Sequence, residues 1–192
     1  KKASEAYQAV RADDLKYWAE QLAGCEYAPN LPADHPRSDF GSMQGASYSC
    51  TMSKETWWAM GLARQRGFSP AVLFMGAFGL LISRMTGQSY AVVGMPVSER
   101  DSEGALGICG PMISTLPLKI QADDHLTIRQ YLTGIRESVA GMLDRRSCSL
   151  EDIARALNVE RTPGSNPFFN TLLSLRPFNV SALTMDGEPV VY

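Results

Sequence analysis

The sequence contains 192 residues, of which 45% are hydrophobic and 20% are charged, and this is typical of one globular domain or at most two small ones. The formal net charge is −2 and no long run of like charge occurs, so neither nucleic acid nor a membrane surface is an expected partner. The four cysteines have no paired spacing that would indicate zinc or a redox motif, which favours reduced thiols and a cytoplasmic protein.

The first predicted element is the helix "LKYWAEQLAG", with Asp14 as its N-cap and Gly24 just past its end. Leu15, Trp18 and Leu22 would share its buried face. The charged residues before this helix lead into no apolar stretch, so no signal peptide is predicted. The proline-spaced segment "APNLPADHPRS" that follows is expected to be extended.

A strand and two helices are predicted next. "ASYSCTM" (46–52) alternates like a strand, and Ser53 could cap a helix that carries Trp57, Trp58 and Leu62. "FSPAVLFMGAFGLLISRMTGQ" has the signals of a buried helix, with a cap serine, a proline at the first helical position and a glycine past the end. Its apolar run is shorter than the roughly 20 residues that span a bilayer. The expected core positions are Leu73, Phe74, Phe78 and Leu81, and truncating Phe78 to alanine should cost about 3 to 5 kcal/mol.

The second half continues the alternation of strands and helices. "YAVVGMPV" (90–97) is typical of a central strand, and "MISTLPLKI" (112–120) of a strand that Pro117 places at an edge or a bulge. A capping box, Thr127 with Gln130, opens an amphipathic helix. The apolar stripe of this helix is Ile128, Tyr131, Leu132, Ile135, Val139 and Met142.

A short helix capped by Ser149 and a last strand, "FFNTLLSL", complete the chain. The alternation predicts the α/β class, with a mixed sheet covered by helices.

Self-contained catalytic chemistry is not indicated. His35 and His125 both lie in predicted loops, and the sequence has no nucleophile elbow, phosphate loop or zinc-protease motif. "GICGPM" (107–112) resembles a phosphate loop, but Pro111 removes a backbone donor and a strand follows, so a turn is the better interpretation.

Several segments in order resemble the C-terminal half of a nonribosomal peptide synthetase condensation domain. They are "YWAEQLAG", "LPADHPRS", the "FSPAVLFMGAFGLLISRMTGQ" helix, "YAVVGMPVSER", "LGICGPMISTLPLKI", "RRSCSLEDIARAL" and "RTPGSNPFF". The sequence departs from the family where Ser114 replaces an asparagine and where Thr162 replaces an aspartate. The catalytic His-His-x-x-x-Asp-Gly motif belongs to the N-terminal half and is absent, so the resemblance implies no catalytic residue in this chain.

The resemblance implies one lobe of a two-lobed fold like that of chloramphenicol acetyltransferase. Residues 1–192 would form the C-terminal subdomain, with a leading helix (1–24), an extended crossing (25–45) and an α/β lobe (46–192). The implied reaction joins an acyl or peptidyl donor to an aminoacyl acceptor, both on phosphopantetheine arms, and no cofactor is bound directly. Implied partners are the N-terminal lobe, upstream and downstream peptidyl carrier proteins, and an adenylation domain. The isolated chain should make no amide bond.

The family motifs mark candidates for the substrate tunnel or the lobe interface: Arg100, Ser114, Arg161, Ser165 and Asn166. Arg100 would pair with the aspartate of the missing motif and act as a strut. Without that lobe it should face solvent or contact Glu99, Asp101 or Glu103. Asn166 would face the tunnel; the alternative is that its side chain bonds its own turn.

Three alternatives stay open: a terminal macrocyclising condensation-like domain, a coenzyme A-dependent acyltransferase of the same superfamily, and a non-catalytic lobe that binds carrier proteins. An epimerisation domain is disfavoured, because its glycine-tryptophan-phenylalanine-threonine stretch does not occur where "GICGPMIST" stands.

Overall fold

A computed structural model describes residues 2–26, 31–34, 44–100, 107–159, 166–175, 184–185 and 188–189. The elements in chain order are α1 (Lys2–Gln21), α2 (Lys54–Gln65), α3 (Pro70–Thr86), β1 (Tyr90–Ser98), β2 (Ile113–Gln121), α4 (Ile128–Asp144), α5 (Leu150–Ala156), β3 (Thr184–Met185) and β4 (Glu188–Pro189). β3 and β4 form a separate two-residue antiparallel pair.

The sheet is built around β1. On one side β1 pairs antiparallel with β2, in a register that runs from Tyr90 opposite Gln121 to Ser98 opposite Ile113. On the other side Gly94 forms a parallel bridge to Leu172, and its N–H donates to the Thr171 carbonyl over 2.9 Å. The sheet is therefore mixed, which confirms the predicted fold class and the central place of the "YAVVGMPV" strand.

Pro117 lies opposite Gly94 in this register. Both backbone polar groups of Gly94 are directed at the segment around Leu172, because the Leu173 N–H also donates to the Gly94 carbonyl, over 3.0 Å. The Gly94–Pro117 pair is thus a pair without mutual hydrogen bonds, at which the missing proline N–H costs the β1–β2 ladder nothing. Among the described strands β2 pairs with β1 alone, as expected of an edge strand.

Four helices begin at the caps that the sequence predicts. Each cap side chain accepts a hydrogen bond from the backbone N–H three residues on, and the cap residues are Ser53, Ser69, Thr127 and Ser149. Gly87 ends α3 with a φ of +71°, a conformation that glycine adopts without steric strain. For these four helices, local capping chemistry therefore predicts the first residues correctly.

The core lies between the sheet and two helices. α3 packs on β1 and on α4, and α4 packs on β2. The Tyr131 hydroxyl joins the two helices by donating to the Gly76 carbonyl over 2.8 Å, and burial raises the pKa of Tyr131 to about 12. The space between the sheet and these helices is filled by fully buried strand residues, among them Val93, Leu116 and Ile120.

The expected core positions of α3 are partly wrong. The helix buries one face, formed by Val72, Met75, Gly76, Gly79, Ile82 and Ser83. Leu73, Phe74 and Phe78 are only partly buried, and Leu81 is 53% exposed. Truncation of Phe78 should therefore cost less than the 3 to 5 kcal/mol of a fully buried ring. Because apolar residues occur on every side of α3, the sequence did not indicate which side of the helix packs on the sheet.

Two further expectations about helices need correction. α1 begins at Lys2, so Asp14 lies inside the helix and not at its cap. The Asp14 carboxylate instead lies 3.7 Å from Nε of Arg145, beyond the end of α4. In α4, Ile128 occupies the first turn and is 78% exposed, whereas Tyr131 and Leu132 are buried beside Gly76 of α3.

α1 packs against α5. Trp18 and Leu22 are buried, as predicted, whereas Leu15 is only partly buried. Arg11 forms an ion pair with Asp152 of α5. The Ser149 hydroxyl and the Arg11 guanidinium together hold the pKa of Asp152 below its usual range. The leading helix is thus packed onto the α/β core.

The predicted strand 46–52 is not observed. Its residues are exposed and form no ladder within the described chain, and Tyr48 is 93% exposed. A strand requires a partner edge, which the alternating pattern alone does not supply. Most of the predicted extended crossing, His35 included, lies outside the described residues. No single described helix is long and apolar enough to span a membrane, and α2 with α3 meets that requirement only as a pair bent by 117°.

Candidate functional site

Arg100 closes the connection between β1 and β2. It follows β1 by two residues, and its terminal nitrogens donate to the carbonyls of Ile108 and Gly110, each over 2.7 Å. Gly110 has a φ of +150°, which side chains rarely tolerate. The guanidinium therefore clamps the turn that precedes β2, a pair of carbonyl contacts that the sequence did not indicate. Asp101 and Glu103, two of the expected partners, lie outside the described residues.

Glu99 and Ser114 form a second tie beside this clamp. The Ser114 hydroxyl donates to the Glu99 carboxylate, and the Glu99 N–H donates to the Met112 carbonyl over 3.0 Å. Because Ser114 lies opposite Val97, the two side chains meet where the ladder ends. The Glu99 carboxylate, proposed as a partner for Arg100, thus binds Ser114, and the Ser114 hydroxyl is engaged with a carboxylate.

Asn166 bonds its own turn. Its side-chain oxygen accepts hydrogen bonds from the backbone N–H groups of Phe168 (3.0 Å) and Phe169 (3.3 Å). This is the arrangement by which asparagine commonly stabilises turns, and it orients two phenylalanines that are both buried. The Asn166 oxygen therefore makes the hydrogen bonds of a turn-stabilising group. The other two candidates of this segment, Arg161 and Ser165, lie outside the described residues.

We expect Asn166→Ala to destabilise the chain by about 1 to 2 kcal/mol, because two backbone N–H groups lose their acceptor. Asn166→Asp keeps an oxygen in the same place and should retain most of the stability. Urea unfolding of both variants measures the difference. Wild-type stability of the alanine variant would instead leave the amide free for a role in the tunnel.

Of the five candidates, the structure describes Arg100, Ser114 and Asn166. Arg100 and Ser114 share the end of the β1–β2 pair. Asn166 precedes the segment that runs parallel to β1 beside Gly94, whereas Arg100 follows Gly94 by six residues. Asn166 therefore belongs to a different backbone segment from Arg100 and Ser114.

The sequence interpretation overlooked Gly94 itself. A side chain at this position would place its Cβ 2.4 Å from the ring of Phe169, far inside van der Waals contact. A glycine in the middle of an apolar strand is the signal that indicates such a close approach. Gly94 and Phe169 thus connect the "VVGMP" strand directly to the "NPFF" motif.

The described part of the site supplies positioning groups. His125 lies exposed in the turn between β2 and α4, as predicted, and no group of three metal-ligating side chains occurs among the described residues. A groove of about 300 Å³ lies between α1, β2 and α4, lined by residues such as Glu20, Lys119 and Ser138, none of them a candidate site residue.

Comparison with known proteins places the chain in context. A family model described as "Condensation domain" matches residues 1–188. A plipastatin synthase of Bacillus subtilis is 28% identical over 186 residues, which cover 96% of this chain and 7% of that protein. A linear gramicidin synthase of Brevibacillus parabrevis is 28% identical over 179 residues, or 93% of this chain and 4% of that protein. The chain thus spans under a tenth of either relative.

Two solved structures share the fold. A four-domain nonribosomal peptide synthetase bound to AMP and glycine superposes with a TM-score of 0.80 at 19% identity, over 86% of this chain and 13% of that one. The starter condensation domain of rhizomide synthetase gives a TM-score of 0.69 at 22% identity, over 97% of this chain and 40% of that one. The fold therefore corresponds to a part of each of these larger structures.

Proposed function

Because this chain belongs to the condensation domain family, we propose that it is the C-terminal lobe of a domain that forms amide bonds in a nonribosomal peptide synthetase. The observation that carries this proposal is the family match over 188 of 192 residues. The order of motifs from "YWAEQLAG" to "NPFF" supports it. The chain would act as an acyltransferase-type enzyme within the larger synthetase.

In the proposed reaction an amine on one carrier protein attacks a thioester on another. Both substrates are tethered by phosphopantetheine arms, and tethering converts a bimolecular aminolysis into a positioned reaction. The His-His-x-x-x-Asp-Gly motif of the N-terminal lobe would provide the base or the electrostatic stabilisation. This chain would contribute one wall of the tunnel. Proposed partners are that lobe, the two carrier proteins and an adenylation domain, in a cytoplasmic assembly.

Arg100 has the geometry of a strut in this scheme. Its guanidinium already fixes the turn at Ile108 and Gly110, and it carries five N–H donors in a planar fork. Carbonyl contacts and a bidentate contact to the aspartate of the missing motif can therefore coexist. Arg100 would transmit the position of the β1–β2 turn to the loop that holds the catalytic histidine, with no chemical role of its own.

Turnover of two loaded carrier proteins tests the function and the strut together. We expect the full-length encoded protein to form the amide and the isolated chain to give only the uncatalysed rate, with products identified by mass spectrometry. Arg100→Lys in the full-length protein should lower turnover about tenfold or more, because the loss of a charge-assisted hydrogen bond costs about 1.5 to 3 kcal/mol.

Arg84→Lys is the matched control, since Arg84 pairs with Asp124 at the surface and both side chains are 67% exposed. Its turnover should equal that of the wild type. No product from the full-length protein with verified carrier loading would overturn the proposed function. Normal turnover of Arg100→Lys, with product formed, would overturn the strut alone.

A further inference from the structure

α2 is the most weakly packed of the longer helices. None of its residues is buried, and among the described elements it packs mainly against α3. Trp57 and Trp58 are adjacent in its first half and are 59% and 69% exposed. Tryptophan is on average a highly buried residue, so two neighbouring exposed rings on one helix require an explanation.

Most residues of α2 are exposed, and five of them share one face of the helix. Lys54, Trp57, Trp58, Gly61 and Arg64 follow a spacing of three and four residues, which places them in a row on a helix, and all five are exposed. We call this row the tryptophan stripe. Apart from its chain neighbours and the backbone of its own helix, no atom lies within 4 Å of the Cβ position of Gly61, so the row has an open notch beside the rings. The half-buried Ala63 lies on the other side of the helix and packs against the core.

The stripe has a cation at each end. Lys54 and Arg64 take part in no ion pair between described residues. The one acid of the helix, Glu55, is off the stripe and accepts hydrogen bonds from its own backbone N–H and from Ser53, which hold its pKa below the usual range. Ten residues of helix separate the two cations by about 15 Å. Along the helix, the stripe therefore presents a cation, two aromatic rings, an open notch and a second cation, in that order.

We propose that the tryptophan stripe docks an amphipathic helix of a protein partner, with apolar side chains in its centre and carboxylates near both ends. Carboxylates ten or eleven residues apart on a helix match the spacing of Lys54 and Arg64. Tryptophan and arginine are the residues that most often dominate protein interfaces. The apolar side chains would seat on the rings and in the notch at Gly61.

A protein partner fits the stripe better than an anionic bilayer. Only two apolar side chains lie on the face, whereas interfacial membrane helices bury a broad apolar face. The curated relatives are more than ten times the length of this chain, so most of each relative is polypeptide tethered near the corresponding surface. Tethering raises the effective concentration of any partner segment in the same polypeptide, so even a small surface of this kind can be occupied. The inference does not depend on the proposed reaction.

Photo-crosslinking in the full-length encoded protein tests the proposal. p-Benzoylphenylalanine replaces Trp58, and after irradiation mass spectrometry identifies the linked segment. The control places the same probe at Leu81, an exposed apolar position of α3. We expect position 58 to link to a predicted helix with two acids ten or eleven residues apart. The combined change Lys54→Glu and Arg64→Glu should lower the yield about fivefold or more at low salt, and less so at high salt.

Three results would overturn the proposal. The first is an equal yield at positions 58 and 81. The second is a linked segment without the paired acids, or a yield that ignores the charge reversal. The third is sedimentation of the wild-type protein with phosphatidylserine vesicles that is lost in the Trp57→Ala and Trp58→Ala double variant, which would assign the face to a membrane surface.

Discussion

Phe168→Ala is expected to destabilise the chain by about 3 to 5 kcal/mol, the cost of removing a fully buried ring. Phe168 has no exposed surface and belongs to the core. Its N–H is bound by Asn166, so the ring and the turn that carries it are held together. The "NPFF" motif would then act first as an anchor for the segment beside β1. Urea unfolding followed by tyrosine and tryptophan fluorescence measures the change.

Leu81→Ala is the control for this measurement. Leu81 is apolar and lies in the core-facing helix α3, but it is exposed, so its truncation should change stability by less than about 0.5 kcal/mol. A loss below about 1 kcal/mol for Phe168→Ala would show that the motif does not anchor the fold. The difference in stability loss between the two variants separates the effect of burial from that of hydrophobic character.

Gly94→Val is expected to cost about 3 kcal/mol or more, at the upper end of the range for overpacked positions. The new Cβ would lie 2.4 Å from Cε2 of Phe169, and the valine methyl groups would add to the clash. The strand cannot move away easily, because Gly94 bonds both Thr171 and Leu173. Relief would therefore have to come from the Phe169 ring or from separation of the parallel segment. Urea unfolding reports the loss.

Two further variants make this result specific. Phe169→Ala in the Gly94→Val background should cost less than the sum of the two single changes, since the double variant loses the buried ring but also removes the clash. Gly134→Ala should instead raise stability by up to about 1 kcal/mol by favouring the helix, since outside the local helix backbone no atom lies within 4 Å of the added Cβ. Additive effects of the Gly94 and Phe169 changes would contradict the contact.

Local signals in the sequence were sufficient for most of the helices. The serine and threonine caps and the glycine at the end of α3 all act within one turn, and the structure confirms each of them. The incorrect predictions concern residues whose structure depends on a partner that is distant in the sequence. Asp14 resembled a cap, yet the residues before it continue the helix and Arg145 supplies its partner. The segment 46–52 has strand alternation but no described partner edge.

The site was harder to predict than the fold. The resemblance singled out Arg100, but its contacts to Ile108 and Gly110 depend on how the β1–β2 connection returns, which no local pattern encodes. The pairing of Glu99 with Ser114 likewise follows from strand register. For Asn166 the sequence offered two roles, and the hydrogen bonds to Phe168 and Phe169 favour the turn.

The proline opposite Gly94 also determines how far the sheet can grow. Because Gly94 directs its polar groups away from β2, Pro117 directs its own carbonyl, and the place of its missing N–H, toward the outer edge of β2. An incoming strand would find a gap in the row of donors at the middle of that edge. Edge-to-edge association of chains through β2 is thereby discouraged. Pro117, which costs the β1–β2 pairing no hydrogen bond, therefore also protects the outer edge of β2 against aggregation.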